Sequence, residues 1–171
     1  MSAASAEVPR YSSQPVDLAG IAESHVSTEQ VRANIVAAKQ TMSANLDAYK
    51  ELVNKLVADM VSLLETGAKI DVDKLIEGFA EDEKKTRAKR KFEEKQHSAA
   101  IRSVVARRPD LMAALSDLIK AQQDDYDRLA ALYRDARWAL MEARAEFLPS
   151  HPSGTIKGQA TDIDAYLKER S

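Results

Sequence analysis

Residues 27–65 read STEQVRANIVAAKQTMSANLDAYKELVNKLVADMVSLLE, and the spacing of the apolar side chains in this stretch decides the fold. Ile35, Met42, Tyr49, Leu56 and Leu63 form one column of a seven-residue repeat, and Lys39, Leu46, Val53 and Met60 form a second, broken only at Lys39. That pattern is the seam of a long amphipathic helix lying along another helix. Ser27 and Gln30 have capping-box spacing, in which a hydroxyl accepts an orphan N–H and the glutamine reaches back. Gly67, just past Leu63-Leu64, stands where a helix ends on a left-handed residue. The roughly 38 residues between these signals make a rod of nearly 60 Å at about 1.5 Å per residue. A helix that long takes its stability from packing along its length.

A second repeat begins after Arg107-Arg108-Pro109-Asp110, where the proline interrupts helix, and stops at Pro149. Its columns are Ile119, Tyr126, Tyr133, Leu140 and Phe147, and Leu115, Gln122, Leu129, Ala136 and Ala143. Two runs of matched length predict an all-α fold. The expected form is an elongated helical bundle, or an antiparallel coiled-coil hairpin of residues 28–66 and 110–148, with one helix or a broken pair at 71–107. In that middle segment Asp71 is the expected cap, and Val72, Leu75, Ile76 and Phe79 share a face. Residues 81–95 then read EDEKKTRAKRKFEEK, with Phe92 as the only large apolar residue. Opposite charges stand four apart at Glu81–Lys85, Glu83–Arg87, Lys89–Glu93 and Arg90–Glu94, which supports a helix without a core. Whether this block packs across the bundle or projects from it as a tip is left open by the spacing. Apolar residues return at Ile101, Val104 and Val105.

Residues 1–26, rich in Ser, Ala and Pro, are expected to be a flexible arm, with Val16–Ile21 as an alternative docking peptide. Residues 27–149 form the helical domain. Residues 150–171 are expected to be a loop followed by a short helix capped by Thr161, with Ile163, Tyr166 and Leu167 on one face that docks on the bundle or binds a partner.

The absence of cysteine among the 171 residues excludes disulfides and thiolate metal sites. A net charge of −2 argues against a protein that binds nucleic acid or membranes by its overall charge. The charge is unevenly spread, with residues 68–108 net basic and 109–149 net acidic. No apolar run approaches the roughly 20 residues of a membrane span, and the N-terminus lacks the basic and apolar regions of a secretory signal. The expectation is a cytoplasmic protein, or one exported without a cleavable signal, and not a transmembrane one.

Chemistry is sparsely marked. Glu94-x-x-His97 has the i,i+3 spacing of a carboxylate-bridged metal site, but such a site needs a second copy of the motif, and none exists. Asp124, Asp125 and Asp127 flank Tyr126 at helical positions that diverge. No glycine-rich phosphate loop or nucleophile elbow occurs. No catalytic, cofactor-binding or metal-binding residue is therefore singled out, no small-molecule substrate is evident, and the protein is read as not an enzyme.

The partner-binding candidates are the cations of the charged block and the residues left off the seams. Lys84, Arg87, Lys91 and Lys95 form a stripe, with Lys85 and Lys89 beside it. The stripe either pairs with its own carboxylates or meets an acidic protein, with nucleic acid or anionic lipid as lesser alternatives. Trp138 lies off the seam, and Tyr166 and Leu167 lie in the tail. Lys39 and Gln122 are polar seam residues, Gln122 being the better register device. Function is expected to be that of a structural or adaptor subunit, with a homo-oligomer as one form. An exported part of a bacterial secretion apparatus is the alternative, and a helical metalloenzyme around Glu94 and His97 is the third reading.

Overall fold

The computed structural model describes residues 7–11, 16–23 and 25–148, and these are all-α, with long helices packed against one another. A single turn, α1 (Leu18–Ile21), precedes three long helices, α2 (Thr28–Glu65), α3 (Val72–Arg107) and α4 (Met112–Phe147). A 3₁₀ turn at Pro109–Leu111 joins the last two. Residues 71–107 are thus one unbroken helix behind its cap, not a pair.

The helix ends follow local chemistry. Ser27 Oγ accepts the Gln30 N–H at 3.1 Å, while the Gln30 side chain turns forward to donate to Asn34 Oδ1 at 2.9 Å, so half of the expected box forms. At the other end of α2, Ala68 N–H donates to Leu63 O and Gly67 N–H to Leu64 O, with Gly67 at φ 81°. That double bond pattern is the Schellman ending, which a glycine enters without Cβ strain. Asp71 caps α3 by accepting the Lys74 N–H at 3.2 Å.

Burial along the helices does not follow sevens. The buried residues of α2 are Val31, Ile35, Leu46, Tyr49, Val53, Met60 and Leu64. With half-buried Ala38, Met42 and Val57 they step 4-3-4, an eleven-residue repeat. The same steps run through Leu111, Leu115, Leu118, Gln122, Tyr126, Leu129, Tyr133, Arg137, Leu140 and Arg144 of the last helix and its lead-in turn. In α3 and the residue that follows it they run through Leu75, Phe79, Asp82, Thr86, Arg90, Glu93, His97, Ile101, Val104 and Arg108. Eleven residues complete three turns of about 3.67 residues, close to an undistorted α-helix, whereas sevens impose left-handed supercoiling. The seam expected from sevens therefore drifts off the buried face: Leu64 is buried and Leu63 is half-exposed, while Lys39 pairs with Asp117 at 2.7 Å on the surface. Leu56, Ile119 and Phe147 are likewise half-exposed.

The chain divides into two compact units. In the first, whose described residues are 7–9, 51–82 and 132–148, Phe79 meets Tyr133 with ring centroids 6.1 Å apart. Val8 lies over Gly78, where a Cβ would come within 2.9 Å of its Cγ2. Arg144, a buried cation the periodicity did not single out, forks onto Asp73 at 2.6 and 3.2 Å.

The second unit takes residues 10–50 and 83–131. Here the pairs Thr28–Asp110, Lys39–Asp117 and Asp47–Arg128 rise together in both helices, so α2 and α4 run parallel. Glu93–Tyr126 and Arg90–Asp127 run in opposite senses, so α3 is antiparallel to α4. The bundle expectation holds, but the two seams do not form an antiparallel hairpin, because a continuous α3 returns the chain between them. One apolar cluster joins Leu18 and Ala22 to Val31, Ile35, Val104, Leu111, Leu115 and Leu118. Residues 16–22, expected within a free arm, are packed into this cluster. Arg108 fastens the cluster's rim by donating to Glu23 O at 2.9 Å, Val26 O at 2.8 Å and the Asp110 carboxylate at 3.2 and 3.3 Å.

Candidate interaction surface of α3

The inward side of α3 between residues 86 and 97 is polar, which is why the apolar signal fades there. Thr86 and His97 are buried, and Arg90 and Glu93 are half-buried. Residues 83–95 of the charged block therefore pack within the second unit and do not project as a tip. Tyr126 donates its hydroxyl to Glu93. Arg90 Nε lies 2.8 Å from Asp127 Oδ1, an ion pair set off the line of a hydrogen bond. One turn further along the same antiparallel register come His97 and Gln122, each buried, with His97 Nδ1 and Gln122 Oε1 lacking hydrogen-bond partners. Glu94 is exposed while His97 faces inward, so the metal-like spacing does not bring these two side chains together. Among the described residues no three His, Asp or Glu side chains converge as a metal site.

Beside this interior, Tyr11 rests on Tyr49 with centroids 5.0 Å apart. Burial pushes the Tyr11 hydroxyl's pKa up, Asp125 adding to the shift and Arg128 opposing it. Burial also raises the Asp125 carboxyl, against Arg128 and helped by Asp124 and Asp47. Asp110 shifts the other way, to about 2, because Arg108 and then Thr28 hydrogen-bond its carboxylate.

The outward side of α3 is cationic. Lys84, Lys91, Lys95 and Arg102 are exposed and separated by seven, four and seven residues, so they stack in one column on the helix. Among the described residues none of the four meets a carboxylate at ion-pair distance. The expected stripe is thereby redrawn. Arg87 turns to Glu83 at 3.1 Å and Lys89 sits 5.9 Å from the Tyr126 ring centroid, while Arg102, not singled out by spacing, joins the column. Lys85 is exposed near it. Phe92, 62% exposed, stands beside the column, and a shallow depression runs past Lys91, Phe92, Glu94, Lys95, Ser98 and Arg102. Glu94 in that depression faces Arg90 at 3.8 Å.

Trp138 is half-buried, with the Arg137 guanidinium 6.0 Å from its ring centroid, and offers no broad exposed face. Tyr166 and Leu167 lie outside the described residues. No described helix is long and apolar enough to cross a membrane.

The fold defines the class, a bundle of long helices, and comparison goes no further. The chain matches no protein family, no curated protein and no solved structure.

Proposed function

We propose that this chain is a non-enzymatic helical interaction protein whose working surface is the outward side of α3 between Lys84 and Arg102. The observation that carries the reading is Phe92, 62% exposed beside a column of cations. A large ring left in water costs stability that a partner recovers on covering it, and aromatic residues are enriched where proteins bind. The long apolar seams are mostly buried within the chain itself, so they are not the surfaces left for a partner. The polar interior of α3 supports the same reading, since Arg90 and Glu93 are used in contacts with α4.

The test places a photo-crosslinking residue at Phe92 and, as a control, at the exposed Ala44 of α2, in cells that produce the protein. Adducts from position 92, to protein or to lipid, that are absent from position 44 are expected. Equal labelling from both positions overturns the reading.

A further inference from the structure

We propose that the column Lys84, Lys91, Lys95 and Arg102, with Phe92 beside it, docks on a bilayer of anionic phospholipid. The inference rests on the reading of α3 as the working surface and names what covers it.

The column runs from Lys84 to Arg102, about 27 Å of straight helix, and presents four exposed cations without a described carboxylate partner. Several other cations of the same unit are neutralised in place, Lys39 by Asp117, Arg128 by Asp47 and Arg108 by Asp110. Such a column is complementary to a surface of many mobile negative headgroups, towards which juxtamembrane cations are drawn.

Three of the four are lysines, compact charges on flexible stems, which protein interfaces tend to exclude. Lipid headgroups rearrange to meet such point charges. A nucleic acid single strand asks instead for several aromatic platforms, and the column has one ring.

Phe92, largely exposed, lines a shallow depression on the outward side of α3. A ring so placed enters the boundary between headgroups and acyl chains while the lysine stems reach to the phosphates. The Glu94 carboxylate, the one acidic group in the depression, is drawn towards Arg90. Because no described helix can cross a bilayer, attachment of this kind is peripheral and salt-sensitive.

The experiment is co-sedimentation of the full chain with vesicles of phosphatidylcholine alone and with about 30% phosphatidylglycerol. Parallel arms use single-stranded DNA and poly-glutamate. Binding to the anionic vesicles only, weakening as salt rises, is expected. K91E/K95E lowers the partition coefficient by at least about tenfold, since it reverses two charges near the surface. F92S lowers it by roughly tenfold through loss of the buried ring. K120E, at an exposed lysine of α4, leaves it unchanged, and circular dichroism of each variant establishes that the helices are intact. Failure to bind anionic vesicles, or binding indifferent to K91E/K95E, overturns the lipid proposal. Preference for poly-glutamate or DNA with the same dependence on Lys91 and Lys95 also overturns it, while leaving α3 as the working surface. Equal crosslinking from positions 92 and 44 removes the surface itself, so the two failures are distinguishable.

Discussion

Asp110 and Gln122 show how much one side chain can depend on its partners. The carboxyl of Asp110 is held at about 2 by Arg108 and Thr28, below its ordinary 3.8. A depressed folded pKa contributes stability above the unfolded value and loses it as pH falls through the folded one. D110N should therefore flatten the fall in stability between about pH 4 and pH 2, read by urea denaturation across that range. Equal acid slopes in parent and variant would show the Arg108 contact to be without energetic consequence. Gln122 presents the opposite case, a buried amide whose Oε1 has no partner. Replacing it with leucine removes an unsatisfied acceptor at similar volume, so Q122L should gain about 1 kcal/mol. A loss on denaturation would indicate that the amide is satisfied by water. Neither side chain's state was readable from spacing. Gln122 was visible as a polar seam residue, but Arg108 stood only as half of a helix break, since the two backbone carbonyls it reaches are 82 and 85 residues away in the chain.

At the scale of the helix, ends were legible because caps are local. Ser27, Gly67 and Asp71 act through bonds to residues within five positions. Gly67 meets nothing within 4 Å where a Cβ would stand, so the penalty for a side chain there is confined to its φ of 81°. G67A should cost about 1 kcal/mol, measured as a shift in urea midpoint at constant m. An unchanged midpoint would mean that the turn is remade in another form. The phase of the buried face was harder to read. Sevens and elevens agree over two turns and part company over ten, so Leu46, Tyr49, Val53 and Met60 satisfy both while Leu63 and Leu64 decide between them. The inward positions of α3 were hidden for a different reason. Thr86, Arg90, Glu93 and His97 carry no apolar signal, and charge pairing along the helix masked their side, so the outward place of Phe92 and Arg102 was hidden with it.

At the scale of the whole chain, the net charge of −2 conceals a local sign. A cationic column on α3 coexists with a slightly acidic total, so long-range attraction to a negative partner is weak and contact-range attraction is strong. The same column disfavours self-association through that face, because two copies would oppose like charges. With the apolar seams largely covered within the chain, light scattering should find a monomer. A defined oligomer would instead show that a second surface, such as that around the exposed Val36 of α2, is in use.

The eleven-residue step also limits how a gene for this protein can change in length. At the level of Leu46, Glu93 and Tyr126, an added block of eleven codons returns each helix to nearly the same phase. It preserves the match between neighbours only if all three helices gain it together. A single inserted codon turns everything beyond it by about 100°, which would carry Phe92 or its cations from the water side towards the interior. Small insertions and deletions should therefore be confined to stretches outside the three long helices, with the helices themselves changing only by substitution.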